Sequence, residues 1–310
     1  MAMPHCGMAA NSTSGGEVTE REVIPRLAAH GIDAHLLRPV CPGLRWWNSP
    51  ALFTRPLGAC LRHHAPALIR LHSVRYTGLA ALAARRLSGV AISAHFHHLD
   101  GDRLAWLDRF VLRRVDQVTT DSEFSQRQAA RIGVKADVVR LGVDHRRFHP
   151  SPMPEGQIVL LVGGTKRRKN ALFVRRLWPE ILRRVPEATL LEVGQGSRVD
   201  DACMPSSYRV ARVVAFPSLL EGFGLPVLEA MACGRPVVCS TAGALPELRA
   251  SLTVRLDPER WVTAIVELLT DDVLWRQFAE ANHAEAVRYD WDHTAADMAH
   301  LWRARARTGA

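Results

Sequence analysis

Short apolar runs alternate with stretches of helical periodicity along most of this sequence. Successive strands of a parallel sheet need a crossover between them, usually a helix, so the alternation predicts parallel sheets covered by helices. No repeat of solenoid period is present, which excludes an array of stacked repeats. We expect strands at about residues 33–38, 67–72, 90–95, 117–121, 137–141, 157–163, 189–193, 213–216, 236–239 and 253–256.

A polar, proline-rich passage, HRRFHPSPMPEG at residues 145–156, divides the alternation into two series. Such a composition is typical of a linker between domains. The sequence therefore predicts an α/β protein with two doubly wound, Rossmann-like domains facing a cleft, residues 1–150 and residues 151–288. The first strand of the N-terminal domain is expected to be weak or short, because MAMPHCGMAANSTS is polar and rich in small residues.

The composition indicates which kind of binding partner and which cellular compartment to expect. A hydrophobic fraction of 47% over 310 residues is ample for a sizeable core. The formal net charge of +9 comes from arginines spread over the chain, so we expect an anionic substrate or a lipid headgroup surface, and no nucleic acid. The 6 cysteines form no close CxxC pair, which favours reduced thiols in the cytoplasm. Neither a signal peptide nor a membrane span is visible, and the inner face of the membrane stays open as a place of peripheral contact.

The stretch EGFGLPVLEAMACGRPVV, residues 221–238, has the features of a phosphate site. The apolar run at 213–218 predicts a buried strand, Pro226 suits the first turn of a following helix, and Gly234 suits its C-terminal cap. Backbone amides at a helix N-terminus bind anions readily. The amides expected to face a phosphate are those of Gly222, Phe223, Gly224 and Leu225.

Residues 216–248 resemble the signature of the retaining glycosyltransferases of family four (group 1), which have the GT-B fold. The central feature is the pair Glu221 and Glu229 with seven residues between them, preceded by FPS and followed by LPE. Other segments agree in order, namely GGE, AISAH, TTDSEFS, RLGVDHRRFHP, LLVGGTKRRKN and YDWDHTAADMAHLW. The resemblance covers nearly the whole chain. It implies a hexosyltransferase that moves a sugar from a UDP- or GDP-sugar to a glycan, lipid-linked or natural-product acceptor with retention of configuration.

Sugar transfer makes opposite demands on its site. A doubly charged phosphate leaves while positive charge develops at the sugar carbon, so the site must hold an anion beside a cation. Lys169, with Arg168 beside it, follows the strand that ends at Gly163 and can neutralise the diphosphate.

The resemblance implies roles for the other site residues. His95 and Glu221 are the catalytic candidates, with His95 facing the reacting sugar and Glu221 near the donor sugar hydroxyls. Glu229 accepts hydrogen bonds from the ribose, and Gly16 of the GGE segment contacts the donor. The N-terminal domain then binds the acceptor and the C-terminal domain binds the donor. The resemblance implies no metal and no cofactor, because the nucleotide sugar is itself a substrate.

Two departures from the family pattern bear on activity. Residues 197–215 fill a gap in which family members have a further strand and helix, so we expect the second domain to lack one strand-helix unit that lines the nucleobase pocket. Gly164 stands where many members have an arginine. A catalytically impaired or accessory glycosyltransferase-like protein is therefore an alternative.

A second alternative rests on the run HFHHLDGD. His95, His97 and His98 have the density of a metal site at the end of a strand, as in a metal-dependent hydrolase. The His-x-His-x-Asp-His pattern of metallo-β-lactamase-like enzymes fails, however, at Leu99 and Asp100.

The C-terminal segment YDWDHTAADMAHLW, residues 289–302, has the pattern of an amphipathic helix. Its apolar stripe consists of Ala295, Met298, Leu301 and Trp302. Family members end in a helix that crosses back onto the N-terminal domain, so we expect residues 289–305 to do the same and to set a hinge.

Overall fold

The computed structural model describes residues 1–4, 15–37, 51–71, 74–98, 105–164, 166–194, 201–249 and 251–308. The chain divides into two compact units, unit 1 with Met1–Arg140 and Trp291–Ala310, and unit 2 with Leu141–Asp290. Each unit is a parallel sheet with helices, which confirms the predicted α/β class. Within the described ranges, every helix is too short or too polar to span a bilayer.

Unit 1 alternates strands and helices from its first residues. Its elements up to the boundary are β1 Ala2–Pro4, α1 Gly15–Leu27, β2 His35–Leu37, α2 Ala51–His64, β3 Leu68–Leu71, α3 Val74–Ser88, β4 Ala91–Phe96, α4 Ala105–Leu112, β5 Gln117–Thr120, α5 Glu123–Arg131 and β6 Asp137–Val138.

The sheet of unit 1 is parallel, with the order β2-β1-β3-β4-β5-β6. As expected from the polar N-terminus, β1 is short. The strands β3 and β4 are almost fully buried, and their apolar residues form the core with α3. The register places His95 beside Thr119 and Phe96 beside Thr120. The residues that follow β4 and β5 therefore leave the sheet at the same edge, where parallel α/β folds bind ligands.

Unit 2 repeats this architecture. Its elements are β7 Ile158–Val162, α6 Ala171–Arg184, β8 Thr189–Val193, α7 Met204–Val210, β9 Val213–Phe216, α8 Leu225–Ala232, β10 Val237–Ser240, β11 Leu252–Val254, α9 Pro258–Thr270 and α10 Asp272–Ala286, with a 3-10 turn at Arg167–Lys169.

The sheet of unit 2 is parallel, with the order β11-β10-β9-β7-β8. The run IVLLV of β7 is apolar throughout because β7 lies inside a sheet that is covered on both faces. Between β8 and β9 the described residues form a 3-10 turn, Asp201–Cys203, and the short α7. Residues 195–200 lie outside the described part, so the predicted loss of a strand-helix unit stays a prediction.

The last helix, α11 Trp291–Thr308, packs against α1 and β4 of unit 1. Ala295, Met298 and Trp302 are buried along one side, while Leu301 is only half-buried. The indole Nε1 of Trp302 donates to Ser93 Oγ at 3.2 Å. The segment predicted as a crossing helix thus lies in unit 1, whereas the predicted linker at 145–156 lies in unit 2.

Candidate active site

Two predicted site residues of unit 2, Lys169 and Glu221, form a buried ion pair. Lys169 closes the turn after β7, and Glu221 follows β9, so both stand at the carboxyl edge of two neighbouring strands. Lys169 Nζ lies 2.7 Å from Glu221 Oε1, and the two residues are only 9% and 6% exposed. Arg168 Nη1 lies 3.6 Å from the same oxygen. The structure therefore brings together three of the residues predicted to bind the donor.

The surroundings of Lys169 make it an unusual cation. Its Nζ lies 4.4 Å from the ring centroid of Phe216, within the range of a cation–π contact. Burial lowers the pKa of Lys169, the charge of Glu221 opposes this shift, and the charge of Arg168 adds to it. A buried cation with one carboxylate partner and a second cation nearby can accept a further anion with little rearrangement.

Glycines make the close approach at this pair feasible. Gly243 has φ +62, and a Cβ there would lie 2.1 Å from the backbone oxygen of Glu221. That oxygen accepts a hydrogen bond from the amide of Ala244 at 3.0 Å. Gly163 has φ +147, and a Cβ there would lie 2.6 Å from Lys169 Cβ. The backbone that carries Glu221 therefore touches the loop of Gly243, a contact between residues 22 positions apart that the sequence analysis did not identify.

Gly243→Ala is expected to lower the free energy of unfolding by about 2 to 5 kcal/mol, from strain at positive φ and from the clash with Glu221. The matched control is Gly234→Ala in the same unit. Gly234 has φ +65, but its Cβ would meet Pro150 at an ordinary 3.6 Å, so about 1 to 2 kcal/mol is expected from strain alone. Urea unfolding of both variants measures the difference. Equal losses would show that the loop at residue 243 yields without cost.

The predicted anion-binding turn precedes α8. The helix begins at Leu225, and Gly224 is its N-cap with φ +108, a conformation that favours glycine. Gly222 and Phe223 are buried just before it. At the other end Gly234 has φ +65 and its amide donates to Met231 O at 2.9 Å, so the predicted C-terminal cap is present.

Glu229 lies on α8 and is oriented by a residue that the sequence analysis missed. Tyr208 Oη donates to Glu229 Oε2 at 2.8 Å, and Tyr208 is fully buried on α7. The sequence gives no signal for Tyr208 beyond its place in residues 197–215, the segment that departs from the family pattern.

The predicted catalytic His95 of unit 1 belongs to a buried chain of polar contacts. Its Nδ1 lies 3.0 Å from Thr119 Oγ1, and its Nε2 lies 2.7 Å from Asp121 Oδ1. The other oxygen of Asp121 contacts His97 Nδ1. The side chain of His95 is fully buried, whereas that of His97 is 26% exposed. The order of contacts is Thr119, His95, Asp121, His97.

The two histidines have opposite electrostatic settings. Burial lowers the pKa of His95 to about 4, and the attraction of Asp121 offsets this only in part. Burial also acts to lower the pKa of His97, but Asp121 and Glu20 together outweigh it and the net shift is upward. For Asp121, burial acts to raise the pKa, yet His97 and His95 together hold it well below its usual range. The arrangement favours an ionised Asp121 between a neutral His95 and a charged His97.

A second buried ion pair of unit 1 lies near these polar contacts. Glu20 of α1 contacts Arg70 Nη1 of β3, and both side chains are fully buried. The Arg70 guanidinium carbon lies 5.4 Å from the ring centroid of Trp302 on α11. Gly16, a predicted donor contact, lies half-buried in the first turn of α1. The sequence offered one unused signal, an arginine within the apolar run ALIRLH.

The residues predicted for a metal site are only partly brought together. His95, His97 and Asp121 each offer one ligand atom, and these atoms lie within 4.8 Å of one another. His98 is not part of this set, and Asp100 lies outside the described residues. The structure thus replaces the third histidine of the predicted set with Asp121.

Comparison with known proteins identifies the family. The model of the glycosyl transferase 4-like domain matches residues 13–143, and the model of the glycosyl transferases group 1 matches residues 197–271. The chain belongs to the group 1 glycosyltransferases.

Curated relatives match parts of the chain. A D-inositol 3-phosphate glycosyltransferase of Segniliparus rotundus is 32% identical over an alignment of 217 residues, which covers 57% of this chain and 48% of the relative. The O-antigen chain mannosyltransferase B of Escherichia coli is 38% identical over 121 residues, which are 38% of this chain and 31% of the relative. The chain therefore spans half or less of the length of these relatives.

Solved structures support the fold over nearly the whole chain. A sucrose-phosphate synthase from Thermosynechococcus elongatus has a TM-score of 0.79 at 19% identity, covering 97% of this chain and 98% of its own. Anabaena HepE, solved in complex with UDP and glucose, has a TM-score of 0.74 at 14% identity, covering 98% and 100%. These likenesses confirm the predicted GT-B fold class.

Proposed function

We propose that this protein is a retaining glycosyltransferase that moves a hexose from a nucleoside-diphosphate sugar to an acceptor. The observation that carries the proposal is the buried pair of Lys169 and Glu221 at the carboxyl edge of the unit 2 sheet. A cation and a carboxylate side by side suit a reaction in which an anion leaves a sugar carbon that becomes positive. The family membership supports the same reaction.

Unit 2 is the proposed donor domain. Lys169 and Arg168 neutralise the diphosphate, together with the amides at the start of α8. Glu221 accepts hydrogen bonds from the sugar hydroxyls, and Glu229, oriented by Tyr208, accepts them from the ribose. HepE was solved with UDP and glucose, so UDP-glucose belongs in any donor panel.

Unit 1 is the proposed acceptor domain, and in it we assign the substrate contact to His97 in place of His95. Both ring nitrogens of His95 contact protein groups and its side chain is fully buried. His97 follows the end of β4 and is partly exposed. A charged imidazole at this position donates a hydrogen bond to a sugar hydroxyl or to a phosphate oxygen.

An anionic acceptor fits the charge of the chain. The formal net charge of +9 attracts phosphorylated small molecules or phospholipid headgroups, and a relative is named for D-inositol 3-phosphate. We therefore propose a polyol or sugar phosphate, free or lipid-linked, as the acceptor class. We also propose a cytoplasmic location, with contact at the inner face of the membrane for a lipid-linked acceptor.

A panel of UDP, GDP, UDP-glucose and GDP-mannose tests the donor assignment by calorimetry and by slow donor hydrolysis. We expect one base to be preferred. A ligand at 100 times its Kd should stabilise the protein by about 2.7 kcal/mol in thermal unfolding. Binding without hydrolysis would favour the catalytically impaired alternative. If no nucleotide or nucleotide sugar bound, the proposal would be wrong.

Metal independence is a separate expected result. Donor hydrolysis should be unchanged after dialysis against EDTA, because Lys169, Arg168 and helix amides supply the positive charge that a metal would otherwise supply. Addition of Mg²⁺, Mn²⁺ or Zn²⁺ to the dialysed protein serves as the control. Loss of activity with EDTA and recovery with one of these ions would contradict it, and would point to His95, His97 and Asp121 as ligands.

A further inference from the structure

Asp121 connects the two histidines of unit 1. One carboxylate oxygen lies 2.7 Å from His95 Nε2, and the other contacts His97 Nδ1. The side chain of Asp121 is 1% exposed. A buried carboxylate cannot have its charge compensated by solvent. Both of its oxygens face imidazole nitrogens here, so the histidines compensate this charge.

The sheet register explains this convergence. His95 and Thr119 are paired on β4 and β5, and Phe96 pairs with Thr120. His97 directly follows β4 and Asp121 directly follows β5, so the two residues leave the sheet side by side. Thr119 Oγ1 contacts Nδ1 of the His95 ring, and the other ring nitrogen lies 2.7 Å from one oxygen of Asp121.

We propose that Asp121 is a positioning residue, which binds Nδ1 of His97 and so fixes the partly exposed ring that contacts the sugar substrate. The inference rests on the proposed function. A carboxylate on one nitrogen of an imidazole sets the tautomer, charge and orientation of the other nitrogen. Carboxylate partners of metal-binding histidines typically change activity by about 10- to 100-fold, and we expect the same range here.

The charges around His97 agree with this role. Burial acts to lower the pKa of His97 and Asp121 acts to raise it, and the net shift is upward, so the contact favours the charged ring. Glu20 acts in the same direction as Asp121, and Arg70 acts against it. The charge on His95 is small near neutral pH, because burial lowers the pKa of His95 to about 4. Replacement of Asp121 by a neutral residue should therefore lower the pKa of His97.

Asp121→Asn is the test variant, since asparagine keeps the shape and loses the charge. With the donor that the wild type hydrolyses, kcat should fall about 10- to 100-fold while KM and the Kd for UDP or GDP change less than about threefold. In a His97→Ala background the same substitution should have almost no further effect. Asp137→Asn, on the neighbouring strand β6, is the matched control and should leave kcat unchanged.

An unchanged kcat in Asp121→Asn, or an equal loss in the presence and absence of His97, would overturn the proposal. Histidine ring NMR of the wild-type protein gives a readout that needs neither activity nor a variant. The wild-type His97 ring should stay charged to a higher pH than a solvated histidine, and Asp121→Asn should shift its titration downward. A wild-type ring that titrates as a solvated one would overturn the inference. If the protein hydrolyses no donor but shows this titration, the proposed function fails and the Asp121–His97 contact stands.

Discussion

Lys169→Ala is expected to weaken the binding of UDP or GDP by about 1.5 to 3 kcal/mol, roughly a 10- to 150-fold rise in Kd. The charged ammonium is buried, so its contact with a diphosphate would be weakly screened by solvent. Isothermal calorimetry measures the change. Lys166→Ala is the control, because Lys166 is exposed in the same basic run, and its loss should alter Kd by less than about threefold. Equal affinity of Lys169→Ala and wild type would mean that the diphosphate does not bind here.

The buried ion pair also predicts an effect of Lys169→Ala on the free energy of unfolding. Removal of a solvated lysine costs little stability. Truncation of Lys169, however, leaves Glu221 buried with the more distant Arg168, at 3.6 Å, as its remaining described ion-pair partner. We now expect a loss of about 1 to 3 kcal/mol in the free energy of unfolding. Adding Glu221→Gln should recover part of it, because the uncompensated carboxylate is removed.

The second large effect is expected in unit 1. Glu20→Ala should lower the free energy of unfolding by about 3 to 5 kcal/mol, because it leaves the fully buried Arg70 without its carboxylate. For a domain of this size the midpoint of thermal unfolding should fall by roughly 2 to 4 °C per kcal/mol.

Two variants separate this effect from a general fragility of α1. Glu22→Ala removes the carboxylate of a more exposed pair with Arg26 on the same helix, and about 0 to 1 kcal/mol is expected. The double variant Glu20→Leu with Arg70→Met removes both buried charges and should be much closer to wild type than Glu20→Ala. A loss in Glu20→Ala no larger than that of Glu22→Ala would contradict the assignment of a tightly coupled buried pair.

The sequence predicted most of the strands well because most of them are short apolar runs bounded by turn residues. The stretch VVAF is β9, and IVLLV is β7. The start of α8 was predicted within one residue from Pro226 and the glycines before it. Local chemistry decides these features, so a window of a few residues contains the information.

Long-range pairings were not predictable in the same way. Glu20 and Arg70 are 50 positions apart, and the residues next to each of them in the sequence do not indicate its partner. The assignment of the substrate contact to His97 in place of His95 also depends on the three-dimensional structure. The two lie two positions apart in one motif, and only the end of β4 at Phe96 shows which is enclosed. Asp121 lies in the quoted segment TTDSEFS, yet its role follows from the pairing of β4 with β5.

The most direct test of the proposed glycosyl transfer is proton NMR of donor hydrolysis by the wild-type protein. UDP-glucose and GDP-mannose, in which the sugars are α-linked, are followed until free sugar appears. We predict that the α-anomer of the sugar is released first, together with UDP or GDP, and that mutarotation follows. Release of the β-anomer first would contradict retention, and the absence of free sugar from these and other UDP- and GDP-sugars would contradict donor cleavage itself.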